Sequence, residues 1–250
     1  PYGFKNNYFQ FTSTFKRIYN TIMIEPSFNL GDGNWAGKSG NLLGYHKISG
    51  NFYADDLTFT RASTGTIVNA EGLIESVGSG MPRVDYLNNA NGSLLLEGQR
   101  TNGIVNSNVF TSWFKSGTVT VTANYGVSPT GETNSSLVNF AAASNRLYLS
   151  SGLSYANDTI SIYVKGVSGE TISFGKASSI GVGALFVLTG EWQRLVIENL
   201  SSPGVNIVLG TNTFATAREI EVFGVQDESG SYPTSYIPTS GTTVTRLADT

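Results

Sequence analysis

A Ser-His-Asp triad needs a histidine base, and this 250-residue chain holds a single histidine, His46. It stands between Tyr45 and Lys47 in a Gly-rich stretch with no partner residues nearby, so it reads as a surface or interface residue. No nucleophile elbow (G-x-S-x-G), H-E-x-x-H pair or phosphate-binding G-x-x-x-x-G-K-[ST] loop occurs. Paired carboxylates are the remaining catalytic chemistry, because glycoside cleavage needs only two acids at a suitable separation. The candidates are Asp55 with Asp56, Asp227 with Glu228, and Glu219 with Glu221. Glu219 and Glu221 alternate along one strand, which reads as an outward acidic stripe. The chain reads as a non-enzyme.

Sugar recognition makes different demands. A pyranose offers an apolar face to a flat aromatic ring and hydroxyls to Asn, Gln, Asp or Arg. Trp113, Tyr148, Tyr155, Tyr163 and Trp192 are the rings available in the second half of the chain. Tyr155, in the polar loop SSGLSYAND, is the one expected to be exposed. Trp113 and Trp192 begin strands, where large rings are usually buried. Tyr148 lies within a strand. These four are the candidate glycan-binding residues.

The elements that position them are strands. TVTVTA (118–123), SLVNF (136–140), RLYLS (146–150), DTISIYVKG (158–166), TISFG (171–175), ALFVL (184–188), WQRLVIE (192–198), VNIVL (205–209) and REIEVFGVQ (218–226) follow one another, separated by turn residues. That pattern predicts an all-β antiparallel sandwich. Upstream, TIV and LIESV flank the turn Asn69-Ala70-Glu71-Gly72 and predict a hairpin within a small β-connector. Arg61, Arg83 and Arg100 punctuate the connector, with Asp85 and Glu97 close by in sequence, as suits bidentate pairing across a packed junction. Residues 29–51 are Gly- and Asn-rich and read as a linker or long loop. Trp35 within them reads as a plug for a neighbouring subunit. Residues 1–28 are aromatic and basic without a core of their own, so they are expected to form an extended arm docking on another chain.

Charge and composition narrow the partners. The net charge of −3 argues against nucleic acid. It is uneven: residues 1–50 carry five basic and two acidic side chains, leaving the remainder at −6. There is no cysteine, hence no disulfide or thiolate metal site, and no apolar run of membrane-spanning length. The 29 glycines and a charged fraction of only 13% suit many turns and a neutral, hydroxyl- and amide-rich surface.

LTFTRASTGTIVNAEGLIESVGSGMPRVDYLNNANGSLLLEGQRTN (57–102) and GVQDESGSYPTSYIPTSGTTVTRLAD (224–249) resemble paired motifs of bacteriophage tail-fibre and head-spike structural proteins. The resemblance implies a jelly-roll sandwich similar to carbohydrate-binding modules, flanked by a β-connector and an extended N-terminal arm. It divides the chain into an arm and linker (1–54), a β-connector (55–105), the sandwich (106–226) and an extended C-terminal segment (227–250). The C-terminal segment is expected to pack back on the connector, bringing Arg246 to an acidic residue or carbonyl there. The resemblance further implies a homotrimer located in the virion after assembly in the host cytoplasm. Its partners would be capsid, portal or tail proteins, with no membrane insertion. The alternative role is a receptor-recognition module that binds a host-surface glycan. No cofactor is expected, although jelly rolls of this kind leave room for a structural calcium, for which Asn108, Asp227 and Glu228 are the candidate oxygen ligands.

Overall fold

In the computed structural model, residues 29–30, 37–48, 51–178, 183–200, 204–211 and 217–250 are described. The expected docking arm at 1–28 and Trp35 lie outside the described residues, and of His46 only the backbone is described. All regular structure among the described residues is β.

The first sheet comprises β1 (Asn29–Leu30), β2 (Gly37–Lys38), β3 (Asn41–Ile48) and β4 (Asn51–Thr58). β3 and β4 pair along their full length, from Asn41 opposite Thr58 to Ile48 opposite Asn51. This corrects the reading of 29–51 as a linker or loop. The stretch LLGYHKI carries its apolar and aromatic residues without strict alternation, and the Ser49-Gly50 pair that follows it in sequence is not the usual Asn-Gly hairpin signal.

The connector follows. β5 (Gly65–Val68) and β6 (Ile74–Val77) form the expected hairpin, and the Asn69 side chain accepts hydrogen bonds from the backbone N–H groups of Glu71 and Leu73 to set its turn. β7 (Val84–Asp85) pairs with β8 (Ser93–Leu94). β9 (Arg100–Asn102) pairs antiparallel with the C-terminal strand β20 (Val244–Arg246), so the end of the chain lies against the connector.

Two five-stranded sheets make the sandwich. One runs in the order β10 (Phe114–Ser116), β13 (Arg146–Ser150), β18 (Asn206–Gly210), β15 (Thr171–Ala177), β16 (Ala184–Val187). The other runs β11 (Val119–Thr122), β12 (Ser136–Phe140), β19 (Arg218–Ser229), β14 (Asp158–Gly166), β17 (Gln193–Leu200). Alternation supplies the core: Val138, Phe140, Ile160, Ile162, Ile220 and Val222 from the second sheet meet Leu147, Ile172, Phe174, Ile207 and Leu209 from the first. Each such side chain contributes about 1.5–3 kcal/mol on burial. Only β10 escapes the sequence pattern, being a three-residue edge strand, too short to show a period.

One break in that alternation decides where the chemistry lies. Opposite β14, β19 shifts register: Ser161 faces Gln226, but Tyr163 faces Phe223, so β19 holds an extra residue. Gly224, at φ +60°, occupies the bulge. Before it Ile220 and Val222 point into the core. After it the inward positions are Val225 and Asp227, while Gln226 and Glu228 face outward and meet the C-terminal segment. A side chain at 224 would need the left-handed backbone and would press on the Tyr236 ring, 3.1 Å from an added Cβ. Gly224→Ala is therefore expected to lower the unfolding free energy by about 1–3 kcal/mol, read as a drop in the denaturant midpoint. An unchanged midpoint would mean the bulge relaxes without cost.

Candidate functional site

The outer face of the β11–β12–β19–β14–β17 sheet carries a second, smaller apolar cluster of Phe223, Tyr236 and Ile74, with Tyr163 and Trp192 packed against it. Each of the three comes from a different part of the chain: β19, the C-terminal segment and the connector. Between them the chain leaves a cleft of about 600 Å3, within the range of roughly 300–1,000 Å3 usual for small-molecule sites.

Its floor is the edges of the Phe223 and Tyr236 rings with Ile74, and its walls are polar. The connector side supplies Thr66, Glu75 and Ser76; the β11–β12 loop supplies Thr130, Glu132 and Asn134. Hydrogen bonds hold the walls in place. Thr66 Oγ1 donates to the Tyr236 carbonyl at 2.5 Å, and the Tyr236 hydroxyl and Ser107 Oγ lie 2.7 Å apart. The Ile74 amide donates to the Pro129 carbonyl at 2.8 Å, tying the hairpin to the opposite loop. Asn108 Nδ2 donates to the Asn134 carbonyl at 2.8 Å, and Asn134 Nδ2 donates to Glu132 Oε2 at 3.0 Å. Asn134 Oδ1 is buried and has no hydrogen-bond partner among the described residues. Burial pushes the Tyr236 phenol well above its ordinary value, only partly offset by the Ser107 hydrogen bond, so the hydroxyl stays protonated.

The candidate glycan residues are not brought together. Trp113 is 3% exposed and packs on Phe110 within the main core, so its ring is closed to stacking. Trp192 is half-buried beside the cleft-floor cluster and donates its indole N–H to the Val127 carbonyl at 3.0 Å. Tyr148 lies on the outer face of the opposite sheet, its ring stacked on the 57% exposed Phe114 at 5.4 Å and 26°. Tyr155 is half-buried, and its ring lies 5.6 Å from Lys176 Nζ.

The proposed calcium ligands do not converge. Asn108 takes the Gly224 amide on its oxygen, Glu228 accepts from Thr234 and Gln226, and Asp227 faces the interior against Lys176. Neighbouring residues of a strand point to opposite faces, so Asp227 and Glu228 cannot share a site, and the Gly224 bulge decides that Asp227 is the inward one. No metal-binding group of three or more His, Asp or Glu side chains occurs among the described residues.

Sequence reasoning offered Asn108 as a calcium ligand and did not single out Glu75, Glu132, Asn134 or Phe223, which line the cleft. The polar run SPTGETNSS (128–136) was the available signal, but it becomes a wall only through its contact with Ile74.

No family model matches the chain, and no curated protein matches it. Among solved structures it is similar to the CBM22-1 xylan-binding domain of Paenibacillus barcinonensis Xyn10C, at 20% identity over 51% of this chain and 90% of that one, with a TM-score of 0.36. It is also similar to the Clostridium thermocellum Xyn10B CBM22-1–GH10 modules complexed with xylohexaose (22% identity, 52% of this chain, 28% of that one, TM-score 0.34). A third is the Phanerochaete chrysosporium exo-beta-1,3-galactanase (11% identity, 73% of this chain, 41% of that one, TM-score 0.32). All three likenesses are loose, and none of these proteins is a fibre or spike.

Proposed function

We propose that this chain is a non-catalytic carbohydrate-binding module whose cleft between connector and sandwich takes a neutral oligosaccharide. The observation that carries this reading is the cleft itself: an apolar floor under walls of hydroxyl, amide and carboxylate groups. Sugar hydroxyls both donate and accept, matching a wall that mixes Ser, Thr and Asn with Glu. Glu75 and Glu132 on the same cleft disfavour anionic sugars by charge repulsion. The fibre or spike setting, and the trimer, implied by the two motif blocks would make this module the reader of a host-surface glycan.

Affinity electrophoresis against a panel of neutral and anionic polysaccharides, followed by calorimetry on the fragments retained, tests the reading. Retardation by a neutral polymer is expected, with Asn134→Ala and Glu132→Gln each weakening binding about tenfold, about 1.4 kcal/mol. Phe114→Ala and Tyr148→Ala, on the opposite face, should leave it unchanged. Loss of binding in the Phe114 or Tyr148 variant alone would move the site to the open face and overturn the cleft, and no retardation by any polymer would overturn glycan binding.

A further inference from the structure

At one end of the sandwich three ionisable side chains meet inside the core. Asp158, the first residue of β14, and Asp227, beyond the bulge in β19, point inward from one sheet. Lys176 on β15 points inward from the other, continuing the row of Ile172 and Phe174. The ammonium donates to Asp158 Oδ2 at 2.8 Å and to Asp227 Oδ2 at 2.7 Å, and all three side chains are 0% exposed. Asp158 Oδ1 and Asp227 Oδ1 are buried with no hydrogen-bond partner among the described residues.

That arrangement is poorly balanced as an ion pair. Buried charges persist when paired and fully hydrogen-bonded, yet here two carboxylates share one cation and each leaves an oxygen bare. Removing one negative charge relieves the site, and a proton on one carboxyl does so. Burial, with Asp158 and Glu228 nearby, pushes Asp227 from its ordinary 3.8 up to about 6 despite the opposing pull of Lys176. The Tyr155 ring lies 5.6 Å from Nζ, and the Tyr155 amide donates to Asp158 Oδ2 at 3.3 Å, so the loop carrying Tyr155 closes the end of the site. An amine and a neutral carboxyl held in contact away from water have the high effective concentration that drives intramolecular condensation, and the water released has no ready way to reverse it.

We propose that Lys176 and Asp227 condense to an intramolecular amide, with Asp158 as the base, joining the two sheets covalently. The carboxylate of Asp158 takes one proton from the Lys176 ammonium. The freed amine attacks Cγ of the neutral Asp227 carboxyl, the Nζ–Cγ bond forms, and the Cγ–OH bond breaks. The departing hydroxyl leaves as water with a second proton from nitrogen. The products are a secondary amide, one water and a neutral Asp158, with no net change in charge and no external reagent. Asp158 touches the reacting nitrogen and so serves as the catalytic base of the step.

Intact-mass measurement of the purified full chain tests this directly, with no variant needed to judge it. The folded chain is expected to weigh one water, about 18 Da, less than its sequence, and peptide mapping should find the Lys176 peptide joined to the Asp227 peptide. Lys176→Arg should restore the full mass. Asp158→Ala should slow the mass loss during refolding at least tenfold. Full sequence mass in the folded chain after prolonged incubation at neutral pH would overturn the proposal, and a junction to Asp158 would overturn the assignment of acceptor and base.

Discussion

Asp249→Ala is expected to cost the folded chain about 3–5 kcal/mol, the usual loss when one partner of a buried ion pair is removed. Asp249 is buried beneath three guanidinium groups. Its Oδ1 accepts from Arg61 Nη1 at 2.9 Å, its Oδ2 accepts from Arg83 Nη2, and Arg246 Nη1 lies 3.7 Å away. The Glu97 amide also donates to it, at 2.9 Å. Glu97 is the second anion, 2.8 Å from Arg83 Nη1 and 3.5 Å from Arg246 Nη2, and it accepts two hydrogen bonds from Ser235. The three arginines crowd around Gly65, where an added Cβ would lie 3.1–3.3 Å from an atom of each. Losing Asp249 leaves three buried cations against one carboxylate. Losing Arg246 instead leaves two against two, and its Nε and Nη1 already lack hydrogen-bond partners among the described residues. Arg246→Ala should therefore cost less than about 2 kcal/mol. Asp249→Ala should also loosen the C-terminal segment, leaving the backbone hydrogen bonds of residues 249 and 250 with Glu97 and Thr60 as its ties to the connector there. Denaturant titration with limited proteolysis reads both effects: the Asp249 variant should be cleaved rapidly after Tyr236 or Arg246, and equal losses for the two variants would show that charge balance does not govern the cluster.

That cluster shows where the sequence was legible and where it was not. Arg61 and Arg83 announced a carboxylate-pairing junction by type and spacing, and Arg246 was placed near them by the apolar, Pro-punctuated C-terminal segment. Of the two acids close by in sequence, Glu97 does pair, 2.8 Å from Arg83 Nη1. Asp85 instead accepts from the amides of Val68 and Leu87, and the second pairing acid, Asp249 at the far end of the chain, could not be read. The nine sandwich strands were legible because each alternates or runs apolar between turn residues. The phase change inside β19 was not, since a bulge shows in sequence only as one glycine among many. The cleft was illegible for a related reason: Ile74, Asn134, Phe223 and Tyr236 belong to four separate segments, and none is unusual in its own.

Without the amide, the interior triad and the arginine cluster would give the stability of the chain opposite dependences on pH. Burial pushes Glu97 and Asp249 upward, but their hydrogen bonds and the guanidinium groups outweigh it and hold both carboxyls below their ordinary values. Their contribution is present above the unfolded-state value near 4 and disappears as pH falls through the lower folded values. Asp227 behaves in the reverse sense. A folded value raised to about 6 favours the neutral form, so its contribution is complete below the ordinary 3.8 and is lost as pH rises through about 6. Holding that carboxyl neutral across about two pH units corresponds to about 3 kcal/mol. In the wild-type chain the amide removes Asp227 from the titration, so the decline of stability through pH 6 should be shallower than in a chain that cannot form the amide. Lys176→Met cannot form the amide and loses the cation that had restrained the shift. It leaves Asp158, Asp227 and the outward Glu228 without a nearby ammonium, beneath the Tyr155 ring. The folded value of Asp227 then rises further, and stability should fall steeply between about pH 4 and 7, by at least about 3 kcal/mol. Urea titrations across that range, on wild type and variant together, make the comparison. A wild-type curve as steep as the variant's through pH 6 would show an open Lys176–Asp227 pair, and a variant curve without the decline would show that Asp227 is not the buried, neutral carboxyl described.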